Sequence, residues 1–221
     1  MTDFPDIAAR ELATYYAKRA AEYDEIYRKP ERQADLRLLE QIVIQFARDR
    51  DILEVACGTG YWTTFMSESA RSIHATDFNE EVLDIARSKS YREGIVTFEQ
   101  DDAYNINANG NYDAGFAGFW LSHVPRERAL EFVRGLNRRL LPNSPVMMID
   151  NSYVAQSSTP ISRCDSFGNT YQTRTLKDGS QHEVLKNFWT AEELRALLDQ
   201  SGSSVEVSLL EYYWALNYRT P

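Results

Sequence analysis

The chain has 221 residues, 43% of them hydrophobic and 26% charged, a balance that suits one folded domain and excludes a disordered or fibrous chain. Its 24 Lys and Arg stand against 33 Asp and Glu, and a formal charge of -9 disfavours broad contact with nucleic acid or anionic lipid. A chain of this length buries roughly 70% of its unfolded surface, so it needs no disulfide or metal staple. Cys57 and Cys164 are widely spaced, with no C-x-x-C, and the opening MTDFPDIAAR carries charges and a proline where a secretory leader would be apolar. No apolar run reaches about 18 residues. These features predict a reduced cytoplasmic protein without a membrane span.

Taken in chain order, Ile7 to Tyr27 reads as a helix, with Tyr16, Ala20, Tyr23 and Tyr27 at steps of four, three and four. Pro30 marks the start of a second helix, whose buried stripe is Leu36, Leu39, Val43 and Phe46. The period then shortens. Asp51 to Ala56 reads as a strand, followed at once by Cys57-Gly58-Thr59-Gly60 and a helical stretch. Ser72 to Thr76 is a second strand, with Asn79 as N-cap for a helix buried through Val82, Leu83 and Ala86. Ile95 to Glu99, Tyr112 to Phe119 and Pro145 to Asp150 are three further strands, and Ala129, Val133, Leu136 and Leu140 mark a helix opened near Pro125. Strand and helix alternate on short connections, which predicts a parallel sheet covered on both faces.

After the fifth strand the rhythm breaks. Asn169 to Leu176 and Gln181 to Phe188 flank Lys177-Asp178-Gly179-Ser180, a hairpin signal. Inserted there, the hairpin would overhang the carboxyl edge of the sheet, where open α/β folds bind ligands. We read it as a lid. Thr190 and Glu193 then have capping-box spacing ahead of Leu194, Leu197 and Leu198, and Gly202 can close that helix. Ser204 to Leu210 and Tyr212 to Tyr218 are strands close enough to pair antiparallel.

The compound signal is a strand ending in Glu54-Val55-Ala56-Cys57-Gly58-Thr59-Gly60, then a helix, then Asp77 at the end of the next strand. Glycines let the backbone approach a ligand, and an acid about twenty positions on can accept both ribose hydroxyl hydrogens. A dinucleotide fingerprint needs a further small residue three positions after the second glycine. Thr63 stands there behind Tyr61 and Trp62, which disfavours NAD.

The chain resembles the class I S-adenosylmethionine (SAM) dependent methyltransferases in LEVACGTG, HATDFN, FEQDDAYNI and YDAGFAGFWLSHVP. The resemblance implies an α/β Rossmann-like fold with a seven-stranded, mostly parallel sheet, helices on both faces and the inserted hairpin lid. It divides the chain into a helical cap (1–48), a SAM-binding core (49–151), the lid (152–189) and a C-terminal helix with antiparallel strands (190–221). It implies that Gly58, Thr59 and Gly60 pass under the cofactor, that Asp77 holds the ribose hydroxyls with Phe78 beside it, that Asp102 accepts from adenine N6, and that the Ala103 N–H meets adenine N1. Asp101 is the rival for the role of Asp102. Ala56 stands where the family often has Gly, a change expected to be tolerated. YYAKRAAEYD, CGTGYWT, FWLSHVP and RTLKDGSQHEVLKNFW are similar to the dehydrophos-type phosphonate O-methyltransferase branch. That similarity implies that Tyr16 and Arg19 approach the cofactor carboxylate, and that Arg174 and Lys186, on the two arms of the lid, grip an anionic acceptor.

Methyl transfer mainly requires nucleophile, methyl and sulfur to be held in line in a dry pocket. His123, just after the fourth strand, suits a general base when the nucleophile carries a proton. Phe119 and Trp120 can wall the methyl pocket. Cys57 has no His partner at nucleophile spacing and reads as packing. No Cys, His and Asp spacing suggests a metal site. The expected activity is methylation of a small anionic acceptor, a phosphonate or carboxylate, at oxygen. N-methylation of a small amine or heterocycle, and a non-catalytic SAM-binding module, are the alternatives.

Overall fold

The computed structural model describes residue 24, residues 26–199 and residues 201–221. The expected first helix, with Tyr16, Arg19 and Tyr23, lies outside the described residues save for its last few positions. A short 3-10 turn at Pro30–Arg32 leads into α1 (Gln33–Ala47), which buries Leu36, Leu39, Val43 and Phe46 as the spacing predicts.

β1 (Asp51–Val55), α2 (Tyr61–Ser67), β2 (Ser72–Asp77), α3 (Glu80–Ser88), β3 (Val96–Gln100) and β4 (Ala114–Gly118) follow. After two 3-10 turns come α4 (Ala129–Asn137) and β5 (Pro145–Asn151). The insertion contributes β6 (Arg163–Cys164), β7 (Thr170–Thr175) and β8 (Gln181–Leu185), and α5 (Ala191–Leu198), β9 (Ser203–Leu209) and β10 (Tyr213–Arg219) complete the chain. The main sheet has seven strands in the order β3-β2-β1-β4-β5-β10-β9. β1 to β5 pair in parallel, while β10 inserts antiparallel between β5 and β9.

Alternation along the strands explains the two cores. Ile52, Phe116 and Ile149 pack with Leu39, Val43 and Met66 on one face. Leu53, Ala117, Met148 and Trp214 pack with Phe132, Val133 and Leu194 on the other. Successive residues point to opposite sides, so a sheet covered twice reads as continuously apolar. Among the described residues no helix is long and apolar enough to cross a membrane.

Three local departures have physical causes. α4 stops at Asn137, so Leu140 is not on the helix; it bridges to Tyr112, which itself precedes β4. Phe119 is not in β4 because its backbone turns to φ +58°, the left-handed region that breaks an extended strand. The lid is a three-stranded sheet, β6-β7-β8, where the sequence pattern predicts two arms. The predicted capping box does form: Thr190 Oγ1 accepts from Glu193 N at 3.2 Å, and Glu193 Oε2 accepts from Thr190 N at 2.8 Å.

Buried polar groups lock the lid root to the core. Asn187 Nδ2 donates to the Val124 carbonyl (2.9 Å) and to Asn169 Oδ1 (3.0 Å), and Asn187 N donates to the Ser122 carbonyl (2.7 Å). Satisfied groups of this kind fix orientation, because losing any one partner strands another in a dry interior. The lid thereby stands at the carboxyl edge of the parallel strands.

Candidate active site

The carboxyl ends of β1 to β5 all open on one edge, and each contributes. At β1 the chain reverses through Ala56 at φ +56°, Gly58 at +55° and Gly60 at +73°. A Cβ on Gly60 would lie 2.4 Å from the Tyr91 hydroxyl and 3.1 Å from Ala86 Cβ, so the turn packs this closely against α3 and Tyr91 only through glycine. Ala56 tolerates its conformation at a cost, since left-handed backbone disfavours any Cβ by about 1–2 kcal/mol. Phe119, at the end of β4, is a second non-glycine residue held in this region. Strained backbone of this sort clusters at functional sites.

Asp77 ties the β2 end to the glycine turn. Its Oδ2 accepts from Gly58 N at 2.8 Å and its Oδ1 from Asn79 N at 2.9 Å. Burial raises its carboxyl above the ordinary value, against the pull of the Asn79, Gly58 and Phe78 amides. Phe78 beside it leaves 55% of its surface exposed, unusual for a large apolar ring.

At the β3 end the two aspartates divide. Asp101 is buried and folds its own loop, accepting from Asn107 N (2.8 Å), Ala108 N (3.1 Å) and Asn107 Nδ2 (3.1 Å). Asp102 is half-buried and its Oδ1 accepts only the local Tyr104 N at 2.9 Å. Among the described residues Asp102 Oδ2 receives no hydrogen bond and the Ala103 N–H finds no acceptor. That is the donor and acceptor pair an adenine edge needs, with the exposed Phe78 ring as an apolar surface nearby. The donor set therefore fits SAM, with Gly58 to Gly60, Asp77, Phe78, Asp102 and Ala103 as the residues that would hold it.

Thr59 donates its hydroxyl to Asp24 Oδ1 at 2.6 Å, and Lys89 Nζ donates to Asp24 Oδ2 at 2.7 Å. Tyr27 stacks on Tyr61 with ring centroids 3.7 Å apart and meets Phe119 edge-on. The stretch before α1 thus covers the glycine turn. Trp62 stacks against Phe119 at 5.7 Å, closing the wall. Below the turn, Glu54 is sealed in the core and accepts from Thr63 Oγ1 at 2.6 Å; burial pushes its carboxyl up to about 8. Burial likewise raises the Cys57 thiol, which makes it packing and no nucleophile.

His123 is buried after β4, and its Nδ1 lies 2.7 Å from the Leu185 carbonyl of the lid. A carbonyl only accepts, so Nδ1 carries a proton and Nε2 holds the lone pair of the neutral ring. Lys186 is not where the two-arm picture puts it. Its Nζ donates to Ser122 Oγ at 2.6 Å and to Asp150 Oδ1 at 3.1 Å, with the two charged side chains only 6% and 0% exposed. An ammonium neutralised in this way fastens the lid to β5 and supplies little charge to an acceptor. Arg174 is half-buried, donates from Nη2 to Gln172 Oε1 at 2.8 Å, and keeps a buried Nε without a partner. Register settles the facing: Arg174 opposes His182, Gln172 opposes Val184, and Lys186 N bonds the Thr170 carbonyl. Arg174 and Lys186 therefore share one lid face, four positions apart along β7, roughly 13 Å of strand. Sequence reasoning missed Asp24, Ser122 and Asp150 here.

The chain is a SAM-dependent methyltransferase with the class I, Rossmann-like fold. A family profile described as a methyltransferase domain matches residues 52–143. Within that class the chain is similar to DhpI. It is 28% identical to the chain of a DhpI-SAM-HEP complex, with a TM-score of 0.79, covering 99% of this chain and 100% of that one. A DhpI-SAH complex gives 27% identity and the same TM-score of 0.79, over 96% and 97% of the two chains. Among curated relatives, a demethylmenaquinone methyltransferase from Staphylococcus saprophyticus is 28% identical over 69% of each chain.

Proposed function

We propose that this methyltransferase acts at oxygen on a small anionic acceptor, a phosphonate or carboxylate of natural-product type. SAM supplies a methyl carbon activated by a sulfonium leaving group. What the chain must add is alignment, exclusion of water and, for a hydroxyl nucleophile, a proton acceptor. His123 has the tautomer for that last role, since its Nδ1–H is committed to Leu185 and the basic nitrogen is Nε2. An acceptor that is already an oxyanion needs no base, and His123 then orients it.

The observation that carries this reading is the lid face. Arg174 turns the same way as Lys186, whose ammonium docks on Ser122 next to His123, so a cation faces the edge where the methyl would be delivered. Similarity to DhpI across nearly the whole chain, lid included, supports it. The test is a screen of phosphonates, carboxylates, phenols and amines for methyl uptake from SAM. Methyl esters from acids support the reading; turnover confined to amines refutes it.

A further inference from the structure

The loop that carries Asp102 and Ala103 is held at its base and at its apex. Asp101 fixes the base, gathering Asn107 and Ala108 from further along the chain. At the apex, Asn105 N donates to the Asp102 carbonyl at 2.9 Å, and Tyr104 N donates to Asp102 Oδ1 at 2.9 Å. Those two bonds lie within the turn itself. The Tyr104 ring ties it outward. It meets Trp120 edge-on with centroids 6.1 Å apart, and Trp120 in turn meets Phe132 of α4 at 6.3 Å. The Arg128 guanidinium carbon sits over the Tyr104 ring, 3.7 Å from its centroid. Burial raises the phenol well above its ordinary value, so the ring stays neutral beside the cation. Among the described residues the Tyr104 hydroxyl makes no hydrogen bond, which leaves ring contacts to place the side chain.

Arg128 ends the 3-10 turn before α4 and is itself braced. Its Nε donates to Glu131 Oε2 at 2.8 Å and its Nη2 to Glu131 Oε1 at 3.0 Å, a two-pronged grip that sets the guanidinium plane. An ion pair this close to solvent adds little stability by itself. What it adds is a planar cation kept over an aromatic face, an attraction that strengthens as water is excluded.

We propose that Arg128 is a positioning residue for the adenine end of the cofactor: by bearing on Tyr104 it keeps Asp102 Oδ2 and the Ala103 N–H presented as an acceptor and donor pair. The proposal rests on the reading of those two groups as the adenine contacts and is independent of the acceptor. It makes discrimination between purines a property of the turn before α4 as well as of the loop after β3.

S-adenosylhomocysteine and its hypoxanthine counterpart, S-inosylhomocysteine, are the probes. Hypoxanthine carries a carbonyl at position 6 and an N–H at position 1, so it reverses both groups that the pair matches. Calorimetric titration of the full chain should show the adenine ligand bound on the order of 100-fold more tightly, because the hypoxanthine ligand leaves both groups unpaired. Arg128→Met should narrow that ratio about fivefold or more, weakening S-adenosylhomocysteine and leaving S-inosylhomocysteine nearly unchanged. Arg128→Lys should restore only part of the ratio, since an ammonium lacks the planar fork. Tyr104→Leu should narrow it as well, and adding Arg128→Met to that variant should narrow it no further. The Arg128 side chain is 26% exposed, so its variants should fold; thermal melting checks that. A ratio for Arg128→Met within about twofold of that for the unaltered chain would overturn the proposal, as would additive losses in the double variant. Equal weakening of both ligands would also overturn it, because a merely structural role acts on both alike. Two ligands bound equally well by the unaltered chain would overturn the adenine reading itself, and the proposal with it.

Discussion

Replacing Lys186 by Met removes the ammonium and leaves Asp150 buried with its charge. Removal of one partner from a buried ion pair typically costs 3–5 kcal/mol. Asp150 would keep three donors, Ser122 N at 2.9 Å, Asn151 N at 2.8 Å and Asn151 Nδ2 at 3.1 Å, which puts the expected loss at the low end, about 3 kcal/mol. For a chain of this size that corresponds to a fall in Tm of roughly 6–12 °C. Urea denaturation of the unaltered chain, Lys186→Met and the double variant Asp150→Asn with Lys186→Met measures it. The double variant should regain at least half of the loss, because no charge is then stranded. A single variant within about 0.5 kcal/mol of the unaltered chain would refute the anchoring role. A rise in acceptor KM alone would return Lys186 to the substrate.

Other outcomes follow from the site. Glu54 ordinarily titrates near 4.5 and is raised to about 8 in the fold, so the fold favours its protonated form. Its contribution is intact below pH 4.5 and is lost as pH rises towards 8, by up to about 5 kcal/mol. Glu54→Gln should flatten the dependence of the urea midpoint on pH across that window; an unchanged slope would count against the assignment. Ala56→Gly should stabilise the chain by about 0.5–1 kcal/mol, the left-handed strain relieved less the added chain entropy. Destabilisation would show that the turn relaxes in solution. His123→Asn should lower kcat for hydroxyl acceptors and remove a limb of the pH–rate profile, while an acceptor that is already an oxyanion keeps its rate; equal losses for both would refute the base.

The alternating core was readable because apolar runs such as Ile52 to Val55 are short, doubly covered and punctuated by glycine or a capping residue. The glycine turn and Asp77 were readable for the same reason: their spacing is local. Leu140 continued the stripe of α4 at a step of four, but the chain had already left the helix, and a step of four cannot report that. β6 is two residues long and carries no period. The choice between Asp101 and Asp102 rests on which of them folds its own loop. Lys186 was visible as a basic residue on a hairpin arm, while its partner Asp150 lies 36 positions earlier. Arg128 and the Tyr104 ring are separated by all of β4, so only the folded chain brings them together.

The central claim is that the edge formed by the glycine turn, Asp77 and Asp102 holds SAM. Calorimetric titration of SAM into the unaltered chain and Asp77→Ala tests it, with circular dichroism confirming that the variant folds. One site per chain is expected, and the substitution should weaken it by about 1–3 kcal/mol, on the order of 5- to 150-fold. The same affinity in both proteins would contradict the account.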